Sequence, residues 1–209
     1  PQTAGEADTA APAPAAKAVR IKAGQSTPFT DSSGQVWAAE EGFDGGATIE
    51  RDPTTTIANT KDPGLYLSEH YGMDSFSCKV PNGKYIAKLY FAETFEGITG
   101  PEMRVFSVSV PHQAVLKDLD LFKTVGFLKP LVKEYKGVSV ENGQLVIGFT
   151  PNIENPQICA IEIIPQSAVE ANPATPAPAT TAPAVPAETT SAPSAPAGPS
   201  VLQIDAGKV

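Results

Sequence analysis

Phe76-Ser77-Cys78-Lys79-Val80-Pro81-Asn82-Gly83-Lys84-Tyr85-Ile86-Ala87-Lys88-Leu89-Tyr90-Phe91 is the stretch that decides the fold class. Two alternating runs flank Asn82-Gly83. Phe76, Cys78 and Val80 share one face, and Tyr85, Ala87, Leu89 and Phe91 share one after the turn. A period of two is that of a strand, whose successive side chains point to opposite faces. Asn-Gly accepts the positive φ angles of a type I′ turn, so the stretch reads as a hairpin. Val140-Glu141-Asn142-Gly143-Gln144-Leu145 reads the same way.

Further strands follow on the same criterion. Val105-Phe106-Ser107-Val108-Ser109-Val110 alternates, read as valine on one face and Phe/Ser on the other. Leu145–Phe149 and Ile158–Ile164 complete the set, and 114–135 has room for one helical turn. Many short strands and no long helical period predict an all-β, two-sheet, jelly-roll-like sandwich.

The flanks differ in kind. Residues 1–17 and 166–200 are Pro/Ala/Thr-rich and lack the aromatic and branched residues that would offset chain entropy. They read as disordered, extended linkers around a domain at 18–165. At 201–209 the chain turns apolar again. Leu202-Gln203-Ile204-Asp205-Ala206-Gly207 repeats the pattern of Val19-Arg20-Ile21-Lys22-Ala23-Gly24. This reads as the first strand of a second copy, or as a strand donated to a neighbouring chain.

Composition removes several function classes. The formal net charge is −8 with no basic run, which argues against nucleic acid as a partner. No apolar stretch is long enough to cross a bilayer. P-loop and dinucleotide fingerprints are missing, and no cofactor is expected. His70 and His112, the two histidines, belong to no metal or nucleophile motif and read as surface or loop residues. Cys78 and Cys159 match no metal spacing. They read as small hydrophobes, with a disulfide between their strands as the alternative.

What remains is aromatic residues beside polar, glycine-rich loops. Tyr66, Tyr71, Phe95 and Phe127 fall at expected strand ends or loops, while Trp37 reads as core. Sugars stack their C–H faces on exposed rings while nearby carboxylates and amides take the hydroxyls.

An ordered series of motifs then becomes specific. Ile21-x-Ala23-Gly24 precedes Phe29-Thr30-Asp31-Ser32-x-Gly34-x-x-Trp37, then Tyr66-Leu67-Ser68-Glu69-His70-Tyr71-Gly72 and Leu89-Tyr90-Phe91-Ala92-Glu93-Thr94. Arg104–Val108, Val115–Phe122 and Asn155-Pro156-x-Ile158-Cys159-Ala160-Ile161-Glu162-Ile163 close it. Over nearly all of 18–165 the series resembles malectin and malectin-like domains. The resemblance implies a non-catalytic carbohydrate-binding module, here of the bacterial, secreted or cell-surface, modular type, with a glucan-like or other glycan as partner.

It also implies site residues. The family's ligand positions fall on Tyr71, on Phe95 and Glu96 where the family has a Tyr-Phe pair, and on Glu154 where it has aspartate. A further tyrosine is expected between Gly42 and Thr56, where this chain has none. Asp118 and Asp120 read as loop braces. The loss of two rings, each contributing about 1 kcal/mol, keeps open a second reading as a structural module that assembles through strand 201–209.

Overall fold

The computed structural model describes residues 16–166. Most of the first expected linker, the second linker and the strand at 201–209 lie outside the described residues. Within them the chain is an antiparallel β-sandwich of two sheets with a small two-stranded ribbon.

The first sheet has the order β1 (Val19–Lys22), β12 (Ala160–Pro165), β6 (Gly83–Ala92), β9 (Pro130–Val140). The second runs β11 (Gln157–Ile158), β5 (Ser68–Lys79), β10 (Gln144–Ile153), β7 (Val105–Ser109), β8 (Leu116–Leu119), with β4 (Phe43–Glu50) also paired to β5. The ribbon joins β2 (Phe29–Thr30) to β3 (Val36–Trp37). A single helical turn, α1 (Leu121–Thr124), breaks the 114–135 stretch as expected, capped by Asp120, which accepts a hydrogen bond from the Lys123 amide.

Alternation places the core. Phe76 of β5's inward face, Val80 just beyond that strand, and Tyr85, Ala87, Leu89 and Phe91 of β6 are buried between the sheets with Ile147 and Ile161. On β7 the inward face is Phe106 and Val108, continued by Val110, so the reading that grouped the valines apart from Phe/Ser is corrected: Ser107 and Ser109 share the outer face with Val105. Trp37 is core, as expected. Its ring meets Tyr90 edge-on at 5.2 Å, and its Nε1 donates to Asp31. Tyr66, expected at a loop, is buried in the same cluster.

Neither Asn-Gly is a hairpin turn. Asn82-Gly83 links β5 to β6 and Asn142-Gly143 links β9 to β10, and each pair of strands lies in opposite sheets. A type I′ turn needs positive φ at both central residues. Among the described residues, neither asparagine has it. Instead the two links meet, with the Gly143 amide donating to Asn82 Oδ1 at 2.7 Å and the Val80 amide to the Gly143 carbonyl at 3.1 Å. Alternation reports which side chains face inward, and that is the same for a hairpin and for a crossing between sheets. Ile158–Ile164 similarly divides at Cys159: its first part pairs with β5, and its second with β1 and β6.

His70 corrects another expectation. It is buried on β5, where Nδ1 contacts Glu40 at 3.0 Å and Nε2 contacts the Gly45 carbonyl at 2.8 Å. His112 sits exposed in a turn, as read. Both cysteines are free thiols. Burial pushes the Cys159 thiol up to about 12, and burial near Glu41 pushes Cys78 up to about 11. Asp118 accepts from Asn152, and Asp120 accepts the Glu102 amide besides capping α1, so both brace loops.

Candidate functional site

At one end of the sandwich, five segments converge on an open cleft of about 180 Å³. Strand β4 and its continuation supply Ile49 and Arg51, and β5 supplies Glu69 and Tyr71. The loop after β6 supplies Phe95, the approach to β7 supplies Arg104, and the turn after β10 supplies Glu154 and Asn155. The two-residue period of β5 puts Glu69 and Tyr71 on one face, and cross-strand register sets Ile49 opposite Glu69.

Three of the four sequence-derived candidates, Tyr71, Phe95 and Glu154, line this cleft. Glu96 does not. It lines an adjoining cleft of about 240 Å³ with Asp52, Thr55, Phe127 and Leu128. Arg51 and Phe95 border both clefts and form the wall between them, the guanidinium 5.9 Å from the ring centroid. Phe95 is 43% exposed and offers an open aromatic surface. The segment 42–56, where the resemblance expected a tyrosine, presents Ile49 and Arg51 to the first cleft.

Polar groups beneath the cleft form two sets, one closed and one an open chain. Arg51 Nη2 pairs with Glu69 Oε1 at 2.8 Å, and its Nε donates to Thr94 Oγ1 at 3.0 Å. Thr94 Oγ1 in turn donates to Glu69 Oε2 at 2.8 Å, which closes a triangle. The second set centres on Glu93, whose side chain is wholly buried. Its Oε1 accepts the Phe95 amide at 3.1 Å, and its Oε2 lies 2.9 Å from Arg104 Nε. That close contact is a buried ion pair. Arg104 Nη1 donates to the Asn155 carbonyl at 2.7 Å, and Asn155 Nδ2 to Glu154 Oε1 at 2.9 Å. Glu154 holds a left-handed φ of 58°, a conformation that costs a non-glycine residue about 1 kcal/mol or more.

The cleft therefore presents two rings, two guanidinium groups and two carboxylates around a space open to solvent. Arg51, Glu69, Arg104 and Asn155 were not singled out as site residues. The last three lie inside motifs that carried the resemblance, so their neighbourhood was marked while their role was not.

One buried constellation resembles a catalytic dyad. Lys22 Nζ donates to Ser68 Oγ and to the carbonyls of Ala23 and Ser68, each 3.0 Å away. Both side chains are buried and neither lines a cleft described here, so the ammonium ties β1 to β5. No group of three or more His, Cys, Asp or Glu among the described residues is arranged to hold a metal. No described helix is long and apolar enough to cross a membrane.

Fold and site define a two-sheet antiparallel sandwich with an aromatic- and carboxylate-lined cleft at the ends of its strands. Residues 17–171 match the family model described as Malectin domain, and the chain belongs to that family. Malectin-B of Xenopus laevis is 31% identical over 137 residues, covering 58% of this chain and 49% of that protein. Malectin of Homo sapiens is 31% identical over 123 residues, covering 51% and 41%. The chain thus spans about half the length of these relatives, or less.

Solved structures share the fold. A Bacteroides uniformis β-glucuronidase superposes with a TM-score of 0.63 at 20% identity, over 71% of this chain and 18% of that one. The plant receptor-like kinase FER gives 0.59 at 20% identity, over 69% and 48%.

Proposed function

We propose that this domain binds a glycan in the Tyr71–Phe95–Glu154 cleft, without catalysis, as a module of a secreted or cell-surface multidomain protein. The observation that carries the reading is the convergence of those three side chains on one open cleft in a malectin-family chain. A pyranose C–H face stacks on the Phe95 or Tyr71 ring. The Tyr71 hydroxyl both donates and accepts, and so suits a sugar hydroxyl. Arginine donors and the Glu154 carboxylate suit vicinal hydroxyls, which both donate and accept. The cleft's formal charges balance, two arginines against Glu69 and Glu154, and this favours a neutral sugar such as a glucan unit.

A glycan array probed with the full chain and with Tyr71→Ala tests the reading. Binding by the wild type that falls about tenfold or more in the variant supports it, a loss of about 1.4 kcal/mol. No binding up to millimolar glucan, with the two proteins indistinguishable, contradicts it.

A second reading has one observation in its favour. The pattern repeated at 202–207 is that of β1, whose ladder partner is β12 and whose other side is bonded at Arg20 and Lys22 to Ala38, so such a segment would take the place of β1. A segment of that pattern suits pairing with β12 of a neighbouring copy in place of its own first strand. Deletion of 201–209 lowers the mass seen by light scattering on this reading, and an unchanged mass rules it out.

A further inference from the structure

We propose that Glu93 is the positioning residue of the cleft: its one buried carboxylate holds both the Phe95 segment and the Arg104 guanidinium in place, so that protonating it disarms the cleft without unfolding the domain. The inference rests on the glycan reading above for its functional consequence, though not for its geometry.

Glu93 follows directly on β6 and is completely buried. Its two oxygens have different tasks. Oε1 accepts the Phe95 amide, which fixes where the chain turns to present the ring. Oε2 faces Arg104, a side chain almost wholly buried and yet part of the cleft lining. From Arg104 the chain of contacts runs through the Asn155 carbonyl to the turn that carries Glu154. One carboxylate therefore reaches the cleft's aromatic wall directly and its opposite rim through Arg104.

The Glu93–Arg104 contact is a buried ion pair at 2.9 Å, and its strength depends on charge. A neutral carboxyl keeps little hold on the guanidinium. The main chain is held separately, since the Glu93 carbonyl accepts the Leu128 amide at 2.9 Å whatever the side chain's protonation. Loss of the charge thus takes the anion from Arg104 and weakens the acceptor of the Phe95 amide, while the strand stays in its sheet.

The groups around Glu93 allow this to happen on acidification. Burial raises its pKa above the ordinary glutamate value, Arg104 and the Phe95 amide oppose that shift, and Glu69 adds to it. Glu69 is itself paired with Arg51, and the Cys159 thiol on the far side is neutral. A raised carboxyl pKa means that the folded state takes up the proton before the unfolded chain does. Ionised Glu93 therefore costs stability at neutral pH, and that cost is relieved as pH falls. Binding and stability respond in opposite directions, which a merely structural carboxylate does not produce.

The test is a pH titration of the full chain by nuclear magnetic resonance, following the Phe95 amide and Arg104 Nε–H, beside melting curves of the wild type and Glu93→Gln. The expected result is that both resonances move together, with one midpoint above the ordinary carboxylate range. In Glu93→Gln both stand near their acid positions at every pH, and the wild type gains on the variant in melting temperature as pH falls. Binding of a mixture of glucan oligosaccharides is expected to be about tenfold weaker in Glu93→Gln at neutral pH, and no longer pH-dependent in the raised window. Separate midpoints for the two resonances, or movement that coincides with global unfolding, overturns the proposal. The wild-type titration decides this even if the variant fails to fold. Joint movement without any glucan binding leaves Glu93's positioning role standing and counts against the glycan reading alone.

Discussion

The ring of Phe95 lies so close to Gly97 that a Cβ at position 97 would fall 2.5 Å from Cε1 and 2.6 Å from Cζ. Glycine at 97 lets an exposed ring lie flat against its own loop, between that loop and the Arg51 guanidinium.

Gly97→Ala follows from this contact. Position 97 has no positive φ, so alanine suits the backbone and even restricts the unfolded chain. The ring must move instead. Stability is expected to stay within about 1 kcal/mol of wild type, while glycan affinity falls about fivefold, equal to the loss of one stacking contact of about 1 kcal/mol. Calorimetric titration beside a melting curve checks both halves.

Arg51 and Glu69 form a pair that is costly to break and cheaper to remove. Arg51→Met leaves the buried Glu69 carboxylate without its cation and is expected to cost about 3 kcal/mol or more. Arg51→Met combined with Glu69→Gln should recover most of that loss, because no uncompensated charge remains. A double-mutant cycle in urea measures the coupling.

Lys22 carries a pH dependence of defined sign. Burial lowers its pKa to about 8, against attraction from the Glu50, Glu69 and Glu40 carboxylates. Between about pH 8 and the ordinary lysine value of 10.5 the folded chain holds the neutral amine while the unfolded chain is still charged. Stability from this group therefore rises with pH across that window, by up to about 3 kcal/mol. The buried thiols and tyrosines act in the opposite sense there, since their pKa values are raised on folding. The difference between wild type and Lys22→Met isolates the lysine. Chemical denaturation at pH 7 and pH 10 should show the wild type gaining on the variant.

The two thiols should behave as inert, separate groups. Under native conditions an aromatic disulfide reagent is expected to leave Cys159 untouched and to react slowly with Cys78, because burial disfavours both thiolates. Full reaction of two thiols in denaturant, with no reductant added, checks that no disulfide joins them.

How far the sequence carried depends on what holds each element in place. Strand β6 was legible because Tyr85, Ala87, Leu89 and Phe91 bury one face against the opposite sheet. Strand β4 was not, because Asp44-Gly45-Gly46-Ala47-Thr48 is exposed and owes its strand character to backbone pairing with β5, around a bulge at Asp44/Gly45. Strand β9 was legible only at its Val140 end, ahead of Asn142-Gly143, and not over 130–135. Lys133, Glu134 and Lys136 suit an edge that must resist pairing with another chain, and they blur the alternation. The cleft shows the same division. Tyr71, Phe95 and Glu154 were reached through local motifs. Arg51 and Glu93 matter only because register brings Thr94 to Glu69 and loop closure brings Arg104 to Glu93, and no local pattern encodes such contacts.

Whether a glycan occupies the cleft between Phe95 and Glu154 is decided by mapping amide shifts while glucan oligosaccharides of different linkage are added. Saturable shifts are expected at Arg51, Tyr71, Phe95, Glu154 and Asn155, with the Asn82–Gly143 end of the sandwich unmoved. No shifts up to millimolar sugar, or shifts confined to that opposite set of turns, would contradict that occupancy.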